Sequence, residues 1–287
     1  MTDYSEEYYV LASDKKIRHG SYIKLTKSAM DVYNKSYFSL IGNYAHGKKD
    51  GLWEEYYLNS NNIKSRGYYT DGKKDSIWLH FYSDETLKQV REVQTEEGIR
   101  AETINLNDRL SSKGSYSKGA KVGVWTYYDL QQQPLQVFDY NRDTLLLHDQ
   151  YKDTRDKPVT FIGGEYEMYR TFYDLMDFSE TMDRINTRRS IETGRITLSI
   201  EVDRKGKLTE IEVVQNEIGN KKLLKQVLYL ANEIDEGYWS PKYEDGIPQT
   251  SSVKLHFILD VKKTSRVHTY GVSTSTRMQF TFDLDNE

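Results

Sequence analysis

Apolar and polar residues between Gly194 and Val214 follow the pattern of two strands and a turn. Every second residue from Ile196 to Val202 is apolar and those between are polar, which is the period of a strand with one buried face. An Asp-Arg-Lys-Gly turn follows and ends at Gly206, since glycine takes positive φ without strain. Apolar residues then return from Leu208 to Val213, so the segment is predicted to form a β-hairpin.

A helical period follows the hairpin. Apolar residues recur at helical spacing from Leu223 to Ile234, with Asn220 as a suitable N-cap and Gly237 as a suitable end. Further alternation predicts a strand at 253–259 and another, added strand at the C-terminus, at 277–284. This half of the chain is therefore predicted to be a small α+β unit.

Two further helices are predicted upstream, at about 165–177 and 180–188. The first has an aromatic stripe that we expect a sheet to cover, made of Tyr166, Tyr169, Phe172, Tyr173 and Met176. Gly163 and Gly164 precede this helix, and helix entry explains them more simply than an anion site does.

The order of these features resembles the TonB C-terminal domain. The resemblance covers about 161 to 261 and rests on five features: Phe161-Ile-Gly-Gly164, the hairpin that opens on Gly194-Arg195, the helix, Trp239-Ser-Pro241 and Gly246-Ile-Pro248. It implies a binding module that receives an extended peptide along a sheet edge. On this resemblance, the candidate partner-binding edge is the strand that carries Val253, Leu255, Phe257 and Leu259. The strand at 277–284 is long enough to turn back and occupy that edge in cis.

The first half of the chain carries an internal repeat of Gly, Trp and other aromatic residues. Its positions are Gly42, Gly47, Gly51, Trp53 and Tyr57 in the first copy, Gly67, Gly72, Trp78 and Tyr82 in the second, and Gly114, Gly119, Gly123 and Trp125 in the third. Ser76 stands where the second copy should have Gly. Because Trp125 follows Trp78 by nearly twice the first interval, we expect a degenerate copy at about 97–110. His19-Gly20-Ser-Tyr22 is expected to end another.

These copies resemble MORN-type repeats in the variant form of bacterial proteins. Each copy is predicted to be two short strands joined by a Gly-rich turn, with aromatic side chains that pack on the next copy. A lone hairpin is barely stable, so the copies should form one sheet. The predicted fold is mainly β with α+β. An elongated antiparallel β-hairpin repeat sheet over 1–148 precedes a linker at 149–160 and a TonB C-terminal-like α+β domain over 161–287.

Two features of the repeats allow a second interpretation. The three Trp side chains fit packing between copies better than ligand stacking, and Trp239 fits a core position better than a recognition site. Basic residues near the turns are interpreted as solvated tips, although they could line one edge for an anionic lipid or an acidic protein. These are Lys48, Lys49, Lys73, Lys74, Lys118 and Lys121.

Composition narrows the class of protein. The chain has 287 residues, a formal net charge of −4 and no Cys, which fits two domains and argues against a nucleic-acid partner, disulfides and thiolate metal sites. No apolar run is long enough to predict a transmembrane helix. The acidic start differs from a signal peptide, so the printed sequence favours an intracellular location. The TonB resemblance instead implies the periplasm or the cell envelope.

The residue types of catalysis do not form a recognisable pattern. The six His residues lack metal-ligand spacing, and phosphate-binding loops and nucleophile elbows are missing from the sequence. Asp174, Asp177 and Asp183 fit a solvated helix face. We therefore predict no enzyme, cofactor or metal site.

The predicted function is a cell-envelope interaction protein that binds a protein or peptide partner by strand addition, with the repeats as a platform. The alternative is a structural or anionic-lipid, membrane-surface scaffold led by the repeats. The oligomeric state is left open.

Overall fold

A computed structural model provides the fold of the chain. It describes residues 3–27, 36–57, 60–83, 90–95, 98–103, 109–150, 155–175, 193–234, 238–268 and 271–285. The chain divides into two compact units, Met1–Leu146 and Leu147–Glu287. The prediction of a mainly β protein with a long antiparallel sheet is confirmed.

In the described part of the chain, twelve strands come before the short strand and first helix of the second unit. They are β1 Asp3–Val10, β2 Arg18–Lys27, β3 Ser36–Ala45, β4 Lys48–Tyr56, β5 Ile63–Thr70, β6 Lys73–Phe81, β7 Val90–Thr95, β8 Gly98–Thr103, β9 Leu110–Ser117, β10 Ala120–Tyr128, β11 Pro134–Asp139 and β12 Thr144–His148. Ten of them form one sheet in the order β1-β2-β3-β4-β5-β6-β9-β10-β11-β12.

The three repeat copies form the hairpins β3–β4, β5–β6 and β9–β10. Their turns contain Gly47, Gly72 and Gly119, all at positive φ. The backbone N–H of each turn glycine donates to a carbonyl of the preceding copy: that of Gly72 to Lys49, for example, at 2.9 Å, and that of Gly119 to Lys74 at 2.8 Å. The turns therefore join adjacent hairpins as well as closing their own.

The prediction of a degenerate repeat copy at 97–110 within this sheet was wrong. β6 pairs directly with β9, with Trp78 opposite Gly114. β7 and β8 instead pair with each other as a separate two-stranded sheet. The long interval between Trp78 and Trp125 is thus an insertion between neighbouring copies, and it leaves their spacing in the sheet unchanged.

The second unit is a smaller α+β arrangement. Its elements are β13 Thr160–Phe161, α1 Gly164–Leu175, β14 Gly194–Val202, β15 Leu208–Asn216, α2 Lys221–Glu233, β16 Trp239–Ser240, β17 Lys242–Glu244, β18 Ile247–Gln249, β19 Ser251–His268 and β20 Gly271–Asp285. The main sheet has the order β15-β14-β19-β20, and β13–β16 and β17–β18 are short pairs.

The predicted hairpin is present as β14 and β15. Its turn is held by Asp203, whose carboxylate accepts from the backbone N–H of Lys205 at 2.8 Å and of Lys207 at 3.0 Å. Gly206 has φ 76°, and a Cβ there would lie 2.2 Å from the carbonyl oxygen of Trp239. This turn therefore requires glycine both for its backbone conformation and for the close approach of a second chain segment.

The two helices that the structure describes in the second unit each bury one side against the sheet. In α1 the buried apolar residues are Met168 and Phe172. Phe172 was predicted for this face, whereas Tyr166 and Tyr169 are only half-buried. The side chains of Tyr173 and Met176 lie outside those described. The α2 N-cap is Asn220, as predicted, and its side chain accepts from the N–H of Lys222 and Leu223. Gly237 and the predicted helix at 180–188 lie outside the described residues.

The core of the second unit is largely aliphatic and is supplied by all its main elements. It includes Val159, Phe161, Met168, Phe172, Ile196, Leu198, Ile200, Val202, Leu223, Val227, Leu230, Ile234, Trp239, Val253, Leu255, Phe257 and Leu259. Trp239 is 1% exposed, and its indole N–H donates to the carbonyl of Ile234 at 2.8 Å. Trp239 therefore belongs to the core.

Candidate functional site

Each repeat Trp lies flat over a glycine of the preceding strand. Trp53, Trp78 and Trp125 are 1%, 3% and 0% exposed. A Cβ on the glycine beneath would approach the indole to 2.2, 2.3 and 2.1 Å, at Gly42, Gly67 and Gly114 in that order. Real Cβ atoms do not tolerate such distances, so any larger residue would force the indole out of its position.

The three indoles are also held by the same hydrogen bond. The Nε1–H of Trp53 donates to the carbonyl of Asn43 at 3.0 Å, and Trp78 and Trp125 make equivalent bonds at 3.1 Å to Tyr68 and Ser115. In each copy the acceptor is the residue after the covered glycine. The buried polar atom of each Trp is thereby satisfied, as stable burial requires.

A second row of side chains lies beside the Trp side chains, and we call it the Lys–Tyr row. It comprises Tyr44, Lys49, Tyr69, Lys74, Tyr116 and Lys121, which pair across the strands as Tyr44 with Lys49, Tyr69 with Lys74 and Tyr116 with Lys121. Each Lys Nζ lies over a Trp ring, at 4.4, 4.3 and 4.8 Å from the centroid. Each Tyr meets the same Trp edge-on at 5.1 to 5.2 Å.

Burial changes the titration of this row. It lowers the pKa of the Lys49 ammonium, an effect that nearby Glu55 opposes, and it raises the pKa of the Tyr69 phenol to about 12. At neutral pH the Tyr69 phenol therefore keeps its proton. Lys49 and Lys74 are half-buried over rings, so their interpretation as solvated tips was wrong. Their neighbours Lys48 and Lys73 are exposed.

Strand β2 contributes an incomplete copy of the same arrangement. Tyr22 occupies the Trp position, 3% exposed, and the Arg18 guanidinium carbon lies 5.2 Å from its ring centroid, as a Lys does in the other copies. Arg18 also pairs with Glu6 at 2.6 Å. Arg18 precedes Tyr22 by four residues, as Lys49 precedes Trp53. This spacing was visible in the sequence and would have identified Arg18 and Tyr22.

Two Tyr side chains connect one copy with the next. The Tyr57 hydroxyl donates to the carbonyl of Phe81 at 2.6 Å, and the hydroxyl of Tyr82 donates to the carbonyl of Tyr128. In both cases the acceptor lies three residues after the Trp of the following copy. These bonds fix the spacing between copies at the end of the strands opposite to the Gly turns.

The predicted partner-binding edge is not a free edge. Val253, Leu255, Phe257 and Leu259 are at most 2% exposed and lie on β19, which pairs with β14 on one side and β20 on the other. The added C-terminal strand therefore occupies the position expected for a partner peptide. Leu284 pairs with Leu255 and packs against the core.

The predicted linker contains a buried lysine that sequence reasoning missed. Lys157 is 4% exposed, and its Nζ donates to the carbonyl of Pro241 at 2.6 Å and lies 4.8 Å from the Tyr243 ring centroid. Its backbone also pairs with that of Tyr243. Burial lowers the pKa of Lys157 to about 7. Residues 155–160 therefore belong to the packed second unit.

Another ionic group is buried on α1. Glu167 is 2% exposed, and both of its oxygens accept from Arg170, at 3.0 Å from Nε and 2.6 Å from the guanidinium terminus. Arg170 also reaches Asp174 at 3.4 Å. This bidentate geometry is typical of a structural ion pair that compensates for burial of the carboxylate.

The described residues contain no group of three or more His, Asp or Glu side chains that could hold a metal ion. Over the same part of the chain, no helix is both long and apolar enough to cross a membrane. Comparison with family models finds no match for this chain, and neither do comparisons with curated proteins and with solved structures.

Proposed function

We propose that the chain is a non-enzymatic interaction protein. Its second unit binds a protein or peptide partner by strand addition, and the repeat sheet serves as a platform. The observation that supports this function most strongly is the pairing of β19 with β20, in which an extended segment lies along β19 through backbone hydrogen bonds. That segment occupies the place where the TonB resemblance puts a partner peptide.

The register of this pair indicates how a partner would bind. Pairing runs without a register shift from Lys254 opposite Asp285 to His268 opposite Gly271. Backbone bonds of this kind depend little on sequence, whereas alternate side chains select the partner. A partner strand with apolar residues at every second position therefore competes with β20 for β19. In the free chain β20 protects that edge from unspecific pairing.

The MORN-like and TonB-like assignments and a periplasmic or cell-envelope location form part of this proposal. They rest on the sequence resemblance. The arrangement of the repeats as successive hairpins in one sheet is compatible with the first assignment. A hairpin, a helix and a further strand in one small unit are compatible with the second.

The test uses a chain that ends at His268 and a synthetic peptide of residues 271–285. We expect the shortened chain to bind this peptide and the full chain to bind it at least about tenfold more weakly, since β20 competes in cis at high effective concentration. A peptide with the same composition in scrambled order is the control. Isothermal titration calorimetry measures both affinities.

Hydrogen exchange on the full chain provides a second measurement that does not depend on the shortened chain folding. Amides of β19 from Ser251 to Leu259 should be protected, and those of β20 should exchange earlier than those of β14. Equal exchange of β14 and β20, together with no binding of the peptide to the shortened chain, would contradict strand addition at this edge.

A further inference from the structure

The repeat sheet presents cations at regular intervals on one face. Lys49, Lys74 and Lys121 lie at equivalent positions of β4, β6 and β10, and one strand separates each from the next. Neighbouring strands are about 4.8 Å apart, so these cations recur about every 10 Å along a line across the strands. Arg18 continues the line on β2, where Tyr22 stands in the Trp position. The three lysines belong to the complete copies and define the site.

Phenol groups fill the intervals between the cations. Tyr69 and Tyr116 stand on the two intervening strands, β5 and β9, and Tyr44 stands on β3 beside Lys49. At the other end of the line the Lys121 Nζ lies 3.3 Å from the hydroxyl of Tyr140. Ammonium and phenol groups are both hydrogen-bond donors. The row therefore suits a ligand that carries negative charge and additional acceptor oxygens.

The Trp rings beneath the row exclude one class of ligand. They are at most 3% exposed, and the lysines cover them. Single-stranded nucleic acids bind proteins by stacking their bases on exposed aromatic faces, and these Trp faces are covered. The contacts available are ionic and polar.

The spacing of the cations argues against an extended acidic peptide. A strand rises about 3.3 Å per residue, so about 10 Å corresponds to three residues. Residues three apart in a strand point to opposite faces. If an extended peptide carried a carboxylate on every third residue, only every second one of these carboxylates would therefore face the lysines.

Sheet twist argues against a flat membrane surface. Strands in a sheet rotate by roughly 20–25° from one to the next, so four steps from β4 to β10 turn the side-chain direction by about a quarter turn. A flat bilayer would reach one or two of the three lysines at a time. A flexible linear polymer can follow the twist and reach all three.

We propose that the Lys–Tyr row binds a linear anionic glycan that runs across the strands. The glycan places a carboxylate or phosphate at each of Lys49, Lys74 and Lys121, and its hydroxyl and ring oxygens accept from the intervening phenols. A charge on every second sugar matches the interval between the lysines. This site lies on the first unit and is independent of strand addition in the second.

The experiment measures binding of the full chain to hyaluronan oligosaccharides, in which a carboxylate recurs at every second sugar, and to polygalacturonate. The test variant is Lys49→Met with Lys74→Met, which keeps an apolar cover over the Trp rings but removes the charges. We expect about tenfold weaker binding for each lysine removed, the loss of one charge-assisted hydrogen bond. Unchanged melting temperature and near-ultraviolet circular dichroism show that the variant folds.

The matched control is Lys48→Met with Lys73→Met, which removes the same charge from adjacent, exposed positions. It should weaken binding less than about twofold. Equal losses in both variants would overturn the proposal, as would failure of both glycans to bind the unaltered chain. Poly-L-glutamate, or vesicles of phosphatidylcholine and phosphatidylglycerol, bound as tightly and with the same dependence on Lys49 and Lys74, would also overturn it. Neutral dextran should not bind.

Discussion

The two units bury comparable aromatic side chains by different means. In the repeat sheet the surroundings of Trp78 come from its own hairpin and the next, with Gly67 beneath it and Tyr69 and Tyr116 at its edges. In the second unit Phe172 of α1 meets Phe257 of β19 at 5.1 Å, across a long stretch of sequence. The core of the repeat sheet consists of contacts between adjacent strands. The core of the second unit consists of contacts between a helix layer and a sheet layer.

This difference has consequences for stability and folding. Contacts repeated between adjacent copies make stability nearly a sum over copies and their interfaces. A layered core depends on contacts that are distant in sequence, so it forms as one cooperative unit. A destabilising substitution in the repeat sheet should therefore lower stability mainly in the altered copy. One in the second unit should lower the stability of the whole unit.

Replacing Trp78 with Ala should produce the largest effect and test this contrast directly. It removes a buried indole, its hydrogen bond to Tyr68 and the ring beneath Lys74, which should reduce stability by about 3–5 kcal/mol. Hydrogen exchange should accelerate in β5, β6 and β9 and stay unchanged in β14 and β19. Phe257→Ala is the comparison in the second unit. Uniform acceleration over the whole repeat sheet would contradict local damage.

Replacing Arg170 with Ala should be the most damaging single change of charge in the second unit. It leaves the Glu167 carboxylate, 3% exposed, without its bidentate partner, which should reduce stability by about 3 kcal/mol because removing one partner exposes the cost of burying the other. Asp174→Ala is the control, since Asp174 is 35% exposed; it should change stability by less than about 1 kcal/mol. Chemical denaturation of both variants measures the difference, and equal losses would argue against a buried ion pair.

Lys157 should make the stability of the second unit depend on pH. Its pKa is lowered to about 7 in the folded protein from its ordinary value of 10.5. The unfolded chain therefore binds more protons between these values, and stability should increase with pH there, by about 1 kcal/mol per pH unit between pH 7.5 and 9.5. Below about pH 6 both states hold the proton, so the slope disappears while the cost of burying the charged amine stays at its maximum.

The Lys157→Met variant isolates this titration. The methionine keeps the buried volume of the side chain but cannot titrate, so the increase in stability above pH 7 should disappear. Denaturant unfolding at a series of pH values measures the slope. The same slope in both proteins would assign it to another group.

The smallest expected effect is a stabilisation from Ser76→Gly in the second repeat copy. Ser76 has φ 57°, and the matching Gly51 and Gly123 have φ 73° and 64°. Because left-handed backbone is strained for residues other than glycine, the substitution should stabilise the sheet by up to about 1 kcal/mol. Gly51→Ala is the converse. A Cβ there meets nothing within 4 Å, so backbone strain alone should reduce stability by a similar amount. Thermal unfolding compares the two.

Residue spacing determined much of the fold because the forces involved are local. Strict alternation places side chains on opposite faces of β14, and a Gly in the left-handed region lies at the turn of each repeat hairpin. The position of Asn220 at the start of α2 follows from local hydrogen bonding in the same way. Each of these features depends on residues within a few positions of one another, so the sequence alone predicts it.

Tertiary structure alone decided which surfaces are free. No local pattern shows that β6 pairs with β9 past an insertion or that Lys157 in a polar, charged segment is buried. The pairing of β20 with β19, in contrast, was predicted from the alternation at 277–284 and is present. On α1 the sequence predicted Phe172 for the buried face but missed Met168. Burial and pairing depend on segments far apart in sequence, and only their packing determines which side chains remain in contact with water.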